Sequence, residues 1–342
     1  MTLAHRLRLW FEKNQRDLPW RKTRDPYRIW LSEVMLQQTR VAAVIPYYER
    51  FLLRFPDYQT LAAANESDLL AMWSGLGYYS RARNLQKAAR LMVQASGFPN
   101  QYEAIRDLPG VGDYTAAAVA SIAFGLPHVG LDGNIVRVIA RWTAENGDTK
   151  QTQTRARLLQ VAQDQLDKRH PGDYKQSLME LGATICLPKA PKCLYCPIND
   201  DCGARLQGLQ NTIPIQLRKT NPISEEKTVL WLRKRDQVLL WQRAGDSRRL
   251  AGFWELPEPA MLTQAIPGEQ LGEFSHSIVN YKYRILVRRA KLSGDAGDLC
   301  KWVRLDHLGV LPLSTVLRKS LRLMKLDPRP ERTKGVRARY ES

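Results

Sequence analysis

The densest group of reactive side chains in this sequence is a set of four cysteines. Cys186, Cys193, Cys196 and Cys202 follow the spacing C-x6-C-x2-C-x5-C, and the one remaining cysteine, Cys300, lies far along the chain. Four thiolates so close in sequence can converge on one metal centre of tetrahedral symmetry. The spacing therefore predicts a metal site in this loop, and it leaves open whether the metal is Zn²⁺ or an iron–sulfur cluster.

A second motif, LPGVGDYTAAAVASIAFG from Leu108, could bind an anion without using side chains. Gly110 and Gly112 can adopt positive φ and let another backbone approach closely. The N–H groups at the start of the following helix point outward, where a phosphate could accept from them. Such a contact would be independent of nucleotide sequence. The alternative interpretation is a plain helix–turn–helix corner.

The elements that position these motifs differ between two parts of the chain. Residues 1–203 carry apolar side chains at i, i+3, i+4 spacing, interrupted by Gly, Pro, Asn and Asp, which predicts an all-α domain with a helical hairpin around 108–125. Residues 225–326 alternate with period two, contain the hairpin turn KRDQ and close with the amphipathic STVLRKSLRLMK, which predicts an α+β domain. We expect 204–224 to be a linker and the basic 327–342 to be disordered.

Composition restricts the class of protein. The chain has 342 residues, and 52 Lys and Arg against 34 Asp and Glu give a formal net charge of +18, so a polyanionic partner is expected. No run of 18 apolar residues could span a membrane, and the first residues lack the apolar core of a secretion signal. An odd, low cysteine count favours a reducing compartment. Together these features predict a cytoplasmic protein.

The motifs LPGVGDYTA, LDGNIVRV and the four-cysteine spacing, in that order, resemble the helix-hairpin-helix DNA glycosylase superfamily of the iron–sulfur type. SEVMLQQTRV and WSGLGYYSRARNL are similar to the adenine DNA glycosylases (MutY family), and AGFWELPE lies where that family has a Nudix-like C-terminal domain. The resemblance covers residues 3–325. It implies a monomer that binds double-stranded DNA and removes adenine mispaired with 8-oxoguanine or guanine in base excision repair. It also implies a [4Fe–4S] cluster on the four cysteines.

Hydrolysis of an N-glycosidic bond needs a proton on the leaving base and negative charge beside the developing oxocarbenium ion. By resemblance, Glu33 in SEVMLQQT is the general acid for adenine N7, with a pKa raised by apolar neighbours such as Trp30. Asp132 in GLDGNIVR stabilises the oxocarbenium ion, and Asn134 hydrogen-bonds beside it. Without the resemblance, Glu33 would be interpreted as a surface residue and Asp132 as a helix N-cap.

Tyr114 decides the expected reaction type. Bifunctional members of the superfamily carry a lysine at this position, whose amine forms a Schiff base and leads to strand cleavage. A phenol cannot form that imine, so the resemblance implies a monofunctional glycosylase without strong lyase activity. The alternative role for Tyr114 is helix packing alone.

Adenine must leave the base stack before its bond can be cut. Something must then fill the gap and hold the duplex bent. The resemblance assigns DNA-contacting roles to five residues: Arg21 in the adenine pocket, and Leu36, Gln37, Gln38 and Tyr78 as intercalating or wedging residues. Helical spacing places Gln37 on the same face as Trp30 and Glu33.

The C-terminal part lacks the glutamate-rich helix that Nudix hydrolases use to bind Mg²⁺, so we expect recognition rather than nucleotide hydrolysis. The family identifies 8-oxoguanine with a Phe-Ser-His turn before a strand. Residues 274–276 have this sequence, but alignment of the following strand places the turn at 278–280, with His276 upstream. We favour the second register, because strand pairing fixes the turn. The contact would then come from Asn280, Ser277 or Tyr281.

Two other functions remain compatible with the sequence. One is a related glycosylase of different base choice, such as a thymine-mismatch enzyme. The other is a non-catalytic DNA-binding protein held together by metal, which would have no chemical reason to keep the Glu33 and Asp132 pair.

Overall fold

The computed structural model describes residues 2–216, 223–245, 247, 250–278 and 280–326. Its contacts divide the chain into two compact units. The helical unit contains residues 2–63 and 84–216, and the sheet unit contains residues 64–83 and 223–326. The predicted disordered tail and part of the predicted linker lie outside the described residues.

Helices account for the regular structure from the N-terminus to the cysteine loop, which confirms the all-α prediction for this part of the chain. Every segment with a helical pattern forms a helix, and the long pattern starting at Tyr27 contains two, since Gln38 has a positive φ of 55° between them. The helices are α1 (Leu3–Asn14), α2 (Pro26–Leu36), α3 (Val41–Arg54), α4 (Tyr58–Ala63), α5 (Glu66–Trp73), α6 (Ser80–Gln94), α7 (Tyr102–Arg106), α8 (Asp113–Phe124), α9 (Gly133–Trp142), α10 (Thr152–Asp164), α11 (Pro171–Thr184) and α12 (Gly203–Leu206).

Side-chain caps fix where several of these helices begin. Asp25 accepts a hydrogen bond from the N–H of Arg28 at the start of α2, and Asp132 accepts one from Ile135 at the start of α9. Helix α11 packs against α1, α8 and α9, while α8 also packs against α2 and α7. The starts of α8 and α9 are therefore held close to α2 and α11.

The turn between α7 and α8 is the predicted helical hairpin. Gly110 has φ 77°, and a Cβ added there would lie 2.7 Å from the Cβ of Asn84. Gly112 differs from the prediction, because it is the N-cap of α8 with φ −104°, and nothing lies within 4 Å of an added Cβ. The hairpin therefore requires glycine at position 110 alone.

The sheet unit confirms the α+β prediction. Strands β1 (Ile223–Trp231), β6 (Tyr281–Leu292) and β5 (Ala265–Ile278) form one sheet in that order, with β1 parallel and β5 antiparallel to β6. In a second sheet, β3 (Gln237–Gln242) pairs antiparallel with β2 (Arg233–Lys234), β4 (Trp254–Glu255) and β7 (Cys300–Arg304). The turn KRDQ joins β2 to β3, as predicted. Helix α13 (Thr315–Leu323) follows, with Leu317 and Leu321 fully buried in the core.

Residues 64–83 belong to the sheet unit through specific contacts. Ser74 Oγ donates to the carbonyl of Leu313 at 3.0 Å and accepts from Arg318 Nε at 2.8 Å. The rings of Tyr79 and Phe253 lie 4.0 Å apart between centroids. These pairings join residues far apart in sequence, so helical periodicity gave no sign of them.

Strand pairing settles the position of the β5–β6 turn. Ile278 pairs with Tyr281, so the two strands are paired up to these residues, and Val279 lies outside the described residues. His276 lies within β5 opposite Tyr283. The hairpin therefore has the second of the two registers derived from the sequence. Within the described ranges, no helix is both long and apolar enough to cross a membrane.

The two hairpin glycines provide a matched test of the helical hairpin. Gly110→Ala should lower the free energy of unfolding by about 1–3 kcal/mol, because alanine is strained at positive φ and its methyl group meets Asn84. Gly112→Ala should cost less than about 1 kcal/mol, since its backbone is ordinary and the space is open. Urea unfolding of both variants measures the difference. Equal losses would contradict the assigned conformations.

Candidate active site

A cavity of about 500 Å³ in the helical unit brings together the residues that the sequence analysis predicted to be catalytic. Helix α2 contributes Glu33, α8 contributes Tyr114, and Asp132 and Asn134 lie at the start of α9. The predicted DNA-contacting residues on its wall are Arg21, Leu36, Gln37 and Gln38. Two carboxyl groups from distant parts of the chain therefore face one space.

Glu33 is the buried carboxyl of the cavity, with only 4% of its surface exposed. Burial raises its pKa, and the nearby Asp132 raises it further. Lys175, Tyr114 and Arg21 act in the opposite direction. The net effect is a raised pKa, which keeps a proton on Glu33 at higher pH than on an exposed glutamate.

Tyr114 lies beside Glu33 on the cavity wall. Burial raises the pKa of the phenol well above its ordinary value, and the neighbouring carboxyl groups add to this effect. The hydroxyl group therefore keeps its proton. It donates to Met179 Sδ at 3.4 Å.

Both oxygens of Asp132 are fixed by hydrogen bonds. Oδ1 accepts from the N–H of Ile135 at 2.7 Å, and Oδ2 accepts from Asn134 Nδ2 at 3.0 Å. Asn134 Oδ1 in turn accepts from Arg137 Nη2 at 2.8 Å. The two interpretations of Asp132 are thus compatible, because the N-cap geometry holds the carboxyl group toward the cavity.

Arg21 is oriented by Glu180, a cavity residue that the sequence analysis missed. The side chain of Glu180 has no exposed surface and accepts from Arg21 Nη2 at 2.7 Å and from Arg16 Nε and Nη2 at 2.8 Å each. Burial alone would raise the pKa of Glu180, but the hydrogen bonds from the two arginines lower it to about 2. Glu180 remains ionised and holds both guanidinium groups.

Lys175 was also missed by the sequence analysis. It is fully buried on α11, and its Nζ donates to the backbone carbonyl of Tyr114 at 3.0 Å. The same atom lies 4.2 Å from the centroid of the Tyr114 ring. The spacing offered one signal of its burial, because Lys175 lies four residues before Met179 and seven before Gly182, on the same face of α11.

The other predicted residues lie away from this cavity wall or in the sheet unit. Trp30 is fully buried against Phe98, with 5.9 Å between ring centroids, and does not line the cavity. Tyr78, with φ 48° and 47% of its surface exposed, belongs to the sheet unit. Half-buried His276 and exposed Asn280 belong to the same unit.

The four cysteines form a second candidate site in the helical unit. All four are half-buried free thiols, and the pKa of Cys196 is raised to about 12 by burial, with smaller contributions from Cys186, Cys202 and Cys193. Arg141 Nη1 donates to Cys186 Sγ at 3.3 Å, and Arg137 Nε donates to the Cys186 carbonyl at 2.7 Å. Among the residues the structure describes, no three His, Cys, Asp or Glu side chains are grouped so as to hold a metal ion.

Comparison with known sequences identifies relatives of the whole chain. The sequence model of the HhH-GPD superfamily of base excision DNA repair proteins matches residues 31–163. The adenine DNA glycosylase of Mus musculus is 35% identical, over 95% of this chain and 78% of that protein. The enzyme of Rattus norvegicus with the same name is 34% identical, over 92% of this chain and 76% of that protein.

Comparison with solved structures identifies the helical fold. A thermostable thymine-DNA glycosylase superposes with a TM-score of 0.55 and 30% identity, over 60% of this chain and 95% of that chain. An endonuclease III in a non-covalent DNA complex superposes with a TM-score of 0.51 and 21% identity over the same shares. The helices that surround the cavity therefore have the helix-hairpin-helix glycosylase arrangement.

Replacement of Glu180 tests the arginine clamp through the pH dependence of stability. Because its folded pKa is depressed, Glu180 stabilises the folded state by about 3 kcal/mol at pH values above its unfolded pKa of about 4.3. This stabilisation is lost as the pH falls toward about 2. Glu180→Gln should therefore be destabilised at neutral pH by a few kcal/mol. The deficit should shrink in acid.

Urea unfolding at several pH values measures this difference. Glu103→Gln, at an exposed position on α7, is the matched control and should leave the stability profile unchanged. A Glu180→Gln deficit that is constant with pH would contradict the clamp.

Proposed function

The chain belongs to the adenine DNA glycosylase family of helix-hairpin-helix base excision repair proteins, and we propose that it excises adenine mispaired with 8-oxoguanine or guanine in double-stranded DNA. The bond cut would be the N-glycosidic bond, by hydrolysis. The observation that carries the proposal is the single cavity lined by Glu33, whose pKa is raised, and by Asp132, whose two oxygens are held by hydrogen bonds. Its volume is suited to one extruded nucleoside.

Glu33 supplies the proton that adenine needs in order to leave. A buried carboxylic acid with a raised pKa can transfer its proton to N7 as the C1′–N9 bond breaks. Tyr114 lies beside the carboxyl group on the cavity wall. The leaving group is then neutral adenine, and Glu33 becomes a carboxylate.

Asp132 provides the negative charge that stabilises the oxocarbenium ion on the sugar. Its hydrogen bonds to Ile135 and Asn134 hold the oxygens in place before the reaction, so little reorganisation is needed when charge develops. Water then forms the new bond to C1′, and Glu33 takes up its proton. This step regenerates the acid and leaves an abasic site.

The product should be an abasic site with an intact strand. Tyr114 has no amine, and none of the described residues that line the cavity is a lysine. A Schiff base with the opened sugar is therefore not available from the cavity wall. This supports a monofunctional hydrolase rather than a lyase.

The arrangement of polar and apolar residues supports DNA binding and base extrusion at this cavity. Leu36, Gln37 and Gln38 lie at the C-terminal end of α2, just after Glu33. Gln37 Nε2 donates to Thr115 Oγ1 at 3.2 Å. Arg21, held by Glu180, offers a fixed donor group to the base. The positive net charge favours phosphate contacts, so affinity should fall steeply with salt.

The four cysteines fit the donor set of a [4Fe–4S] cluster, which we propose as the resident cofactor. Four half-buried thiols in one short loop are the ligands of such a cluster, and Arg141 donates to one of them. When bound, the cluster would hold the loop folded.

The sheet unit is proposed to recognise the base opposite adenine, as a Nudix-like domain without hydrolase activity. The candidates are His276 in β5, Asn280 in the turn, and the flanking Ser277 and Tyr281. The ring of Tyr281 stacks on that of Tyr283 at 5.7 Å between centroids. This aromatic surface beside a polar turn is suited to contact with a nucleobase.

Glu33→Gln tests the catalytic proposal. The amide cannot supply the proton, so single-turnover release of adenine from an A·8-oxoguanine duplex should fall by at least about 100-fold, while duplex binding is retained. Glu49→Gln, at an exposed site on α3, is the control and should react like the wild-type chain. Duplexes with A·G and A·C pairs test base choice, and release of thymine from a T·G duplex instead of adenine would overturn the assignment.

Elemental analysis tests the cofactor proposal. The purified chain should contain about four iron and four sulfide ions, and Cys196→Ser should lose most of both and unfold at lower temperature. Cys300→Ser, in the sheet unit, should retain them. Zinc in place of iron would refute the cluster.

A further inference from the structure

Lys175 is a buried charged residue that the proposed hydrolysis does not use. No part of it is exposed, although removal of an ammonium group from water is costly. Its Nζ is directed at Tyr114 in two ways, by the 3.0 Å hydrogen bond to the carbonyl and by the 4.2 Å approach to the ring. Both contacts compensate part of the desolvation cost.

Tyr114 has little freedom to move away from these contacts. A Cβ added to Gly130 would lie 2.8 Å from the Tyr114 Cα, so the backbone of the loop before α9 packs closely against Tyr114. The phenol at the other end of the side chain lies on the cavity wall that Glu33 also lines. Tyr114 therefore contacts the ammonium group of Lys175 and faces the same cavity as the carboxyl group of Glu33.

The charged and titratable groups that face Glu33 come from four elements. They are Lys175 on α11, Tyr114 on α8, Asp132 at the start of α9 and Arg21 in the turn Pro19–Arg21. Asp132 disfavours the ionised carboxylate, whereas Lys175 and Arg21 favour it, Lys175 more strongly. Burial lowers the pKa of Lys175 to about 7, against the opposing influence of Glu33 and Asp132.

We propose that Lys175 is a positioning residue for base excision: it fixes Tyr114 on the cavity wall that Glu33 also lines, and it places a buried positive charge behind that wall. The inference rests on the proposed function of Glu33 as general acid. Lys175 does not line the cavity and is not required to touch DNA.

Two effects follow if Lys175 is replaced by methionine. The contacts of Nζ with the Tyr114 carbonyl and ring are lost, so the maximal rate of adenine release should fall by about tenfold. The positive charge that favours ionised Glu33 is also lost, so Glu33 should stay protonated to higher pH. The alkaline limb of the pH–rate profile should then move upward by about one pH unit.

The experiment measures single-turnover adenine release from an A·8-oxoguanine duplex between about pH 5 and about pH 9. The variants are Lys175→Met, Lys175→Arg, Tyr114→Phe and the Lys175→Met/Tyr114→Phe double variant. Lys175→Arg keeps a permanent charge, so its alkaline limb should not move upward. In the double variant, the loss of rate should be smaller than the product of the single losses, since Lys175 acts through Tyr114.

Controls separate this role from general packing. Lys168→Met, at an exposed site after α10, should have the wild-type profile. The melting temperature of each variant shows whether it is folded at the assay temperature, so that a loss of rate is separated from a loss of fold. If Lys175→Met and Lys175→Arg both slow the reaction but leave the alkaline limb unmoved, or if the double variant shows independent effects, the inference is wrong. A wild-type chain that releases no adenine at any pH would overturn the proposed function together with it.

Discussion

Desolvation of the Glu33 carboxyl group is the constraint on which the rest of this structure depends. With 4% of its surface exposed, Glu33 could not remain ionised without compensating charges, and without them it would hold its proton too firmly to give it up. Its surroundings contain influences of both signs, since burial and Asp132 favour the protonated acid while Lys175 and Arg21 favour the carboxylate. Such a balance suits a group that must first donate a proton and then accept one.

The fold maintains this balance by bringing four chain segments close together. Close backbone approach is possible because small residues lie at the crossings: a Cβ on Gly182 of α11 would lie 2.6 Å from the Cβ of Asn134, and one on Gly130 would meet Tyr114. Helix α8 is rich in buried alanines, which lets α2 and α11 pack against it. The charged groups are therefore held by the closest-packed part of the core.

Local features of the site were predictable from the sequence, and long-range ones were not. The N-cap at Asp132, the positive φ at Gly110 and the turn before Tyr281 each depend on a few neighbouring residues with known conformational preferences. Burial of Lys175 depends on how α11 packs against α8, and burial of Glu180 depends on two arginines from the segment after α1. Periodicity specifies neither. Trp30 shares a helix face with Glu33, yet it packs into an aromatic cluster because Phe98 comes from a distant segment.

Arg137 links two centres that have no chemistry in common. Its Nε donates to the Cys186 carbonyl, and its Nη2 donates to the Gly182 carbonyl and to the amide oxygen of Asn134. The amide nitrogen of Asn134 in turn donates to Asp132. Loss of order in the cysteine loop would remove one anchor of this bond chain. The Asp132 carboxylate would then lose part of its support although no residue lining the cavity had changed, so the geometry of the cavity depends in part on a loop that is not in its lining.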